Sequence, residues 1–250
     1  MDTPRVSLIQ LHPIKGLDPV RVQEARVLSS GALEFDRRWA LTDSRGRFVN
    51  GKNSAALHSI RAVYDLAKLE VVLEGHAFSL IRETTAIARW LSERLGDTIQ
   101  FQEDDVAGFP DDTDSPGPTF VSSASIARVA EWFTFPIDQA RRRFRTNIEF
   151  EGTDAFWEDR LYGSTFHVGN VIVDAVNPCQ RCIVPSRDAL TGAQDSGFQK
   201  RFAELRHAGM PEFAKTGQFN HYYRFAVNTR IDATEAGKTI RVGDPLLAVD

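Results

Sequence analysis

The feature that most constrains the fold of this 250-residue chain is its long series of short apolar segments rich in β-branched residues. Each segment is bounded by Gly, Asp, Asn or Pro, which are residues that end strands and form turns. These segments outnumber the helical patterns and do not alternate with them, which disfavours a doubly wound parallel sheet. The sequence therefore predicts an α+β fold that is mostly β, with two β-barrel-like domains and peripheral helices.

The local patterns also predict the individual elements. Helices are predicted at 84–95, 123–133 and 199–207, where apolar residues recur at helical spacing; Gly96 closes the first and serines cap the second. A turn at 43–46 predicts a hairpin. The predicted strands are 6–14, 25–27, 38–42, 48–49, 68–73, 77–82, 144–150, 165–168, 171–176, 222–228, 239–242 and 246–249.

A loop rich in Asp, Gly and Pro, at 104–118, separates two β-rich parts of the chain. A structureless loop of this length is typically either a linker or a segment that reaches into a functional site. We therefore predict an N-terminal β-barrel domain at 1–103 and a second domain at 104–250, with 104–118 as a linker or active-site loop.

Charge and composition exclude several classes of protein. The net charge of −4 disfavours an electrostatic grip on nucleic acid or on an anionic membrane. No run approaches the ~18 apolar residues that cross a bilayer, and the N-terminus lacks a signal-peptide pattern. Two cysteines are few for a secreted scaffold, so we expect a reducing, cytoplasmic location.

The two cysteines, Cys179 and Cys182, form a Cys-x-x-Cys motif after a predicted strand. A cation such as Arg181 favours the thiolate form of a neighbouring cysteine, and thiolates bind soft metals. Three interpretations remain open: a zinc site that needs two further ligands, a redox pair, and a single thiolate ligand for a metal held by a cofactor. Pro185 disfavours the helix that a thioredoxin-like pair requires.

Basic residues form two further candidates. If Arg143, Arg145 and Asn147 alternate along one strand, they lie on the same face, where they suit a phosphate or a polar heterocycle. RNA is a weaker alternative because the chain is acidic overall and few aromatics lie nearby. Lys15 and Gly16 end a predicted strand, and such a pair can approach a phosphate closely, although a plain turn lysine has the same pattern.

Several motifs are absent from the sequence. It contains neither the Gly-x-Gly-x-x-Gly nor the Walker A pattern, which disfavours dinucleotide and nucleoside triphosphate binding. It also lacks the Gly-x-Ser-x-Gly elbow of α/β-hydrolases.

The pair Asp36-Arg37 is by itself typical of a surface ion pair.

Taken in order, these clusters resemble the MOSC family, in particular its members with an N-terminal β-barrel domain, such as the mitochondrial amidoxime-reducing component and its bacterial relatives. Each motif is weak alone, but the ordered set is specific and spans nearly the whole chain. The matching segments are His12-Pro13-Ile14-Lys15-Gly16, Asp36-Arg37-Arg38-Trp39, Phe144-Arg145-Thr146-Asn147-Ile148, Phe156-Trp157-Glu158-Asp159, Gly169-Asn170-Val171, Pro178-Cys179-Gln180-Arg181-Cys182 and Thr239-Ile240-Arg241-Val242-Gly243-Asp244-Pro245.

The resemblance implies a molybdenum cofactor held between the two domains, with Cys182 as the metal ligand and Cys179 as a neighbour. Its loop implies an active-site aspartate, for which Asp114 is the nearest equivalent. The amidoxime-reducing member has a serine where this chain has Gly16. The resemblance implies that the cofactor contacts are Lys15, Gly16, Arg37, Ser115, Arg145, Asn147 and Arg181.

The activity implied by the resemblance is reduction of N-hydroxylated compounds, a small-molecule substrate class. The sequence has no flavin, haem or iron–sulfur motif, so we expect a separate electron-donor protein of ferredoxin, flavin or haem type. The alternative is a molybdenum-cofactor carrier or sulfur-transfer protein in which Cys182 carries a persulfide. A third possibility is a β-rich binding domain whose two cysteines are structural.

Overall fold

The computed structural model describes residues 3–248. Short strands dominate it, which confirms the predicted α+β, mostly β class, and its four α-helices lie outside the sheets. The helices are α1 (Thr84–Leu95), α2 (Ser123–Phe133), α3 (Ile137–Phe144) and α4 (Phe198–Ala208). The strands are β1 (Arg5–Leu11), β2 (Val20–Val22), β3 (Glu24–Arg26), β4 (Trp39–Asp43), β5 (Phe48–Val49), β6 (Ala62–Asp65), β7 (Glu70–Leu73), β8 (His76–Ser79), β9 (Ile99–Glu103), β10 (Phe120–Ser122), β11 (Ile148–Glu151), β12 (Thr165–Val168), β13 (Val171–Gln180), β14 (Arg224–Arg230), β15 (Thr239–Arg241) and β16 (Leu246–Ala248).

The largest sheet joins the two ends of the chain. Its strand order is β16-β12-β13-β14-β10-β11-β1-β2, so the first two strands lie beside strands from the second half. Strands β10 and β11 run parallel, and the other pairs in this sheet are antiparallel. A separate pair, β3 with β15, links the two halves again. The division at residue 103 stays a prediction.

The N-terminal part adds two three-stranded sheets, β5-β4-β9 and β6-β7-β8. Their inward faces and α1 enclose an apolar core that includes Trp39, Leu41, Val71 and Leu91. A second core under the large sheet contains Phe120, Phe150 and Phe166, while a third lies among α2, α3 and α4. Alternating burial along β7, where Val71 and Leu73 point inward, is the period-two pattern of a half-buried strand.

Helices α1 and α2 match their predicted limits because their end signals are local. Gly96 closes α1 in the left-handed conformation, with φ of +68°. The Ser122 side chain accepts a hydrogen bond from the Ala124 N–H and caps α2. The predicted third helix lies at α4, and the predicted turn at 43–46 joins β4 to β5.

The predicted strand at 144–150 is wrong at its first half. Residues 137–144 form α3, Arg145 ends it with φ of +52°, and the strand begins only at Ile148. Arg143, Arg145 and Asn147 therefore do not alternate along one strand. Ala140, Arg143 and Phe144 are buried at helical spacing, and burial of this stripe favours the helix.

Other strand limits differ by a few residues, because hydrogen-bond pairing and not local apolarity ends a strand. The predicted strand at 6–14 ends at Leu11, and that at 222–228 is displaced to Arg224–Arg230. The strand predicted at 171–176 continues to Gln180, so Cys179 lies within β13. The predicted strand end at Val249 lies outside the described residues.

Candidate functional site

A cavity of about 660 Å³ lies where segments from both halves of the chain converge. Residues within 15–19, 36–37, 50–61, 107–119, 142–147 and 177–184 contribute most of its wall. Arg143 and Asp114 do not line it, whereas the other sequence-predicted site residues do. The predicted residues that line it are Lys15, Gly16, Arg37, Ser115, Arg145, Asn147, Arg181 and Cys182.

Lys15 follows β1 and is held there by backbone hydrogen bonding to Trp39. Its ammonium is buried, donates to the carbonyls of Phe109 and Pro110 at 2.9 and 3.2 Å, and lies 3.2 Å from the Asp111 carboxylate. Burial lowers the pKa of Lys15, although Asp111 opposes this shift. Gly16 has φ of +97°, which only glycine adopts without strain, so its presence next to Lys15 has a backbone reason.

Arg37 is bound on both sides by carboxylates. It pairs with Asp36, and its Nε lies 3.6 Å from Asp111. Burial alone would lower the pKa of Arg37, but these two carboxylates outweigh burial and raise it. The pair is mostly buried, with side chains 13% and 11% exposed, so the surface ion pair suggested by the sequence is wrong.

Arg145 reaches the cavity because the chain reverses at the end of α3. Its Nη1 donates to the Leu17 carbonyl at 2.8 Å. Burial lowers the pKa of its guanidinium to about 10, and repulsion from Arg37 adds to the shift. A guanidinium stays charged at neutral pH, and within residues 3–248 the hydrogen-bond acceptor of this one is a neutral carbonyl and not a carboxylate.

Arg37 and Arg145 also share an unusual backbone conformation. Both have φ of +52°, in the left-handed region, which costs a residue with a Cβ roughly 1–2 kcal/mol. The Arg37 N–H donates to the His12 carbonyl, and the Arg37 carbonyl accepts from Phe109. Such strain is typical of functional sites, where surrounding contacts maintain it.

The acidic loop contributes different carboxylates from the predicted one. Asp111 and Asp112 line the cavity, whereas Asp114 is exposed and its carbonyl accepts from Arg230 outside the cavity wall. Ser115 is buried, and its N–H donates to Asp112. The loop register that places Asp114 in the site is therefore not the one observed.

Asn147 lies in the wall, but its amide is already used by the scaffold. Its Oδ1 accepts from both the N–H and the hydroxyl of Thr119, and its Nδ2 donates to the Gln10 carbonyl at 3.2 Å. Asn147 therefore joins β1, β10 and β11 and shapes the wall.

The two cysteines at the opposite wall have different partners. Arg181 donates to the Cys179 sulfur at 3.0 Å and also to the Phe144 carbonyl. Cys182 lies just after β13, and its sulfur accepts from the Val184 N–H at 3.5 Å. Both cysteines are free and partly exposed, and within the described residues the Arg181 guanidinium donates to the Cys179 sulfur but not to that of Cys182.

The charge balance of the wall is opposite to that of the whole chain. Eight cationic side chains line the cavity against four carboxylates, although the chain carries a net charge of −4. An enclosed excess of cations favours an anionic ligand. The cations are Lys15, Arg37, Lys52, Arg61, Arg142, Arg145, Arg181 and Arg224, and the carboxylates are Asp18, Asp36, Asp111 and Asp112.

Sequence reasoning missed Lys52, His58, Asp111 and Asp112. His58 is half-buried, its Nε2 lies 3.2 Å from the Gly51 carbonyl, and burial lowers its pKa, with Arg145 and Arg187 adding to the shift. Lys52 and His58 follow the predicted strand at 48–49, but no spacing rule connects them with Cys182. Only the aspartate-rich composition of the loop indicated Asp111 and Asp112.

Among residues 3–248, no three His, Cys, Asp or Glu side chains are placed to hold a metal ion by themselves. In the same part of the chain, no helix has the length and apolarity to cross a membrane.

Comparison with known families gives two matches that together cover most of the chain. Residues 3–80 match the MOSC N-terminal beta barrel domain, and residues 119–247 match the MOSC domain. The interval between them contains α1, β9 and the acidic loop of the cavity.

Two curated relatives are named molybdenum cofactor sulfurase. The protein from Drosophila erecta is 23% identical over 243 residues, and that from Drosophila grimshawi is 22% identical over 244. Each alignment covers 83% of this chain but only 31% of the relative, so the chain spans about a third of their length.

Solved structures show weaker likenesses. YiiM from Geobacillus stearothermophilus has 19% identity and a TM-score of 0.32, and covers 54% of each chain. The YuaD protein from Bacillus subtilis has 9% identity and a TM-score of 0.40, over 98% of this chain and 94% of that one. Both TM-scores lie below 0.5, so neither likeness establishes a shared function.

Proposed function

The chain belongs to the MOSC family, and from this premise we propose that it binds a molybdenum cofactor in the cavity and reduces N-hydroxylated compounds. Its electrons would come from a separate donor protein. The observation that carries the proposal is the position of the Arg145 guanidinium, which donates to a neutral carbonyl and faces the same cavity as the Cys182 thiol. A phosphate-bearing ligand that also needs one thiolate fits this pairing of groups.

The wall provides a suitable residue for each part of such a ligand. Lys15, Arg37 and Arg145 are the cations for its phosphate, since charge-assisted hydrogen bonds to phosphate are among the strongest in proteins. Cys182 is the thiolate for its metal, and Arg181 stabilises negative charge at the neighbouring Cys179. When bound, the cofactor supplies a metal that can accept an oxygen atom and exchange two electrons.

The reaction needs protons as well as electrons. Reduction of an N–OH group to N–H consumes two electrons and two protons and releases water. His58 lines the cavity, and its lowered pKa keeps the imidazole neutral at pH 7, with one nitrogen bound at the Gly51 carbonyl. The other ring nitrogen can take up a proton from solvent, and because the pKa of the resulting imidazolium is lowered, it releases this proton readily to a bound substrate; we assign this role to His58.

A second candidate function is sulfur transfer or cofactor carriage. The curated relatives are named as sulfurases, and Arg181 binds the Cys179 sulfur, which places a second, cation-paired thiol beside Cys182. In this alternative Cys182 carries a persulfide, or holds the cofactor for delivery without turnover.

The test compares Cys182→Ser with Cys179→Ser in protein from a host that makes the cofactor. We expect about one molybdenum and one pterin per chain in the parent, loss of molybdenum in Cys182→Ser, and retention of most of it in Cys179→Ser. Loaded parent protein should reduce amidoximes with a chemically reduced dye as donor.

Each alternative outcome is informative. Fully loaded protein that remains inactive towards a broad panel of N-hydroxylated compounds would favour the carrier function. Equal loss of molybdenum in both variants would indicate a dithiol site, and a parent that contains zinc or no metal would contradict the cofactor assignment.

A further inference from the structure

The Asp111 carboxylate lies among the cations that the proposed function assigns to phosphate. Its oxygens lie 3.2 Å from the Lys15 ammonium, 3.4 Å from the Lys52 ammonium and 3.6 Å from the Arg37 guanidinium. These three cations come from separate segments of the N-terminal half, whereas Asp111 comes from the acidic loop. One loop residue therefore neutralises much of the charge at this part of the cavity.

The loop is fixed to the same lysine by its backbone. Lys15 donates to the carbonyls of Phe109 and Pro110, immediately before Asp111, and the Phe109 ring meets Phe48 edge-on at 5.7 Å. Beyond Asp111 the chain has no helix or strand until β10 begins at Phe120. The flanks of Asp111 are anchored, because Phe109 packs on Phe48 and because Asp112, Asp114 and Pro118 accept hydrogen bonds from Asn228, Arg230 and Thr229 of β14. The half-exposed Asp111 side chain and its own backbone can therefore move away from the cations while the rest of the loop stays in place.

We propose that Asp111 is an internal competitor for the anionic group of the ligand, and that ligand binding displaces its carboxylate from Lys15 and Arg37. The proposal rests on the proposed function, because it assumes that the ligand carries phosphate. A carboxylate and a phosphate within 4 Å of the same cations repel each other, so both cannot occupy this position at low cost.

The competitor is ionised at every physiological pH. Burial alone would raise the pKa of Asp111, but Arg37, Lys15 and Lys52 together lower it well below its usual range. Protonation therefore does not release the loop, and a competing anion does. The Asp111 carboxylate keeps the cations paired until a ligand with a stronger anionic group binds.

The experiment uses the full chain purified from a host that cannot make the cofactor, with inorganic pyrophosphate as the probe and calorimetry as the measurement. Asp111→Asn keeps the size of the side chain and removes its charge. We expect it to bind pyrophosphate about tenfold more tightly than the parent, equivalent to about 1.4 kcal/mol. The matched control is Asp105→Asn, an exposed aspartate of the same loop outside the cavity wall, which should bind like the parent.

A thermal unfolding curve for each variant verifies that it is folded. A parent that binds pyrophosphate while Asp111→Asn binds equally or more weakly would overturn the competitor role and leave the phosphate site standing. Binding by neither protein would overturn both the competitor role and the assignment of these cations to phosphate. If Asp105→Asn strengthened pyrophosphate binding as much as Asp111→Asn, the effect would reflect the total charge of the loop. This result would also overturn the proposal.

A second measurement follows the loop itself. Pyrophosphate should accelerate proteolytic cleavage next to Asp111 in the parent, because displacement of Asp111 loosens the backbone at this residue, whereas 112–118 stays hydrogen-bonded to β14. In Asp111→Asn the cleavage should already be fast without the ligand. Slower cleavage on addition of pyrophosphate to the parent would show that the ligand and Asp111 occupy the cavity together, which contradicts competition.

Discussion

Two clusters of buried charge in this molecule differ in whether the buried arginine is paired with a carboxylate of the protein. In the cluster between α4 and residues 157–162, Arg206 and Asp159 are 1% and 0% exposed and pair with each other, and the Tyr162 hydroxyl donates to the same carboxylate at 2.7 Å. The Arg206 guanidinium also lies 4.0 Å from the centre of the Phe156 ring. In the cavity, by contrast, the one hydrogen-bond acceptor of the Arg145 guanidinium among residues 3–248 is the backbone carbonyl of Leu17.

The two arginines therefore have different roles, one in the stability of the fold and the other in binding a ligand. A buried ion pair that is complete within the protein stabilises one arrangement of the chain, and removal of either member leaves a costly orphan. A cation whose compensating anion is missing from the protein is instead available for a ligand. Arg206 and Arg145 are therefore expected to respond oppositely to substitution.

The largest expected effect is on stability, at Arg206. Arg206→Met leaves the Asp159 carboxylate buried without its partner, and should lower the free energy of unfolding by about 3–5 kcal/mol. Urea unfolding measures this, and Lys200→Met, at an exposed position of the same helix, should change it by less than about 0.5 kcal/mol. A loss below 1 kcal/mol in Arg206→Met would show that the Arg206–Asp159 pair does not stabilise the fold.

Glu158, next to Asp159, predicts a pH dependence of stability. Burial raises its pKa to about 8, and the Asp159 charge adds to the shift, so the folded state retains a proton that the unfolded state loses above pH 4.5. The free energy of unfolding should therefore fall as pH rises from about 4.5 to 8, by up to a few kcal/mol at about 1.4 kcal/mol per unit.

Glu158→Gln should remove this dependence, because Gln does not titrate, yet its oxygen can still accept from the Ser125 hydroxyl. Thermal unfolding at several pH values between 4.5 and 8 measures the slope in each protein. Identical slopes in the parent and the variant would show that Glu158 is not the group responsible.

Substitution of Arg145 should have the smallest effect on the free energy of unfolding and a clear effect on pterin binding. Arg145→Ala loses one hydrogen bond to a carbonyl, so the free energy of unfolding should change by less than about 1.5 kcal/mol. Loss of a charge-assisted contact to phosphate, worth roughly 1.5–3 kcal/mol, should weaken pterin binding by about ten- to a hundredfold. Released pterin is quantified by fluorescence, with the exposed Arg128→Ala as the control. Full pterin occupancy with a much lower melting temperature would make Arg145 structural.

Local signals were sufficient for some parts of the molecule. Gly96 and Ser122 end and begin helices through contacts within a few residues, so the limits of α1 and α2 could be predicted. The predicted strand at 144–150 is wrong at its start, because burial of Ala140 and Phe144 at helical spacing extends α3 to Phe144. The same error placed Arg143 in the site, whereas its guanidinium donates to the Pro185 carbonyl in the interior.

The sequence by itself determined the chemistry available to this protein: two cysteines three positions apart, several arginines and a lysine, and an acidic loop. Only the tertiary structure decided which of these groups meet. Asp111 and not Asp114 faces Lys15, and Arg181 contacts Cys179 and not Cys182. The physical reason is that these encounters depend on the pairing of β1 with β11, on the reversal at Arg145 and on the path of an irregular loop. All three depend on contacts between residues distant in the chain, which no local pattern encodes.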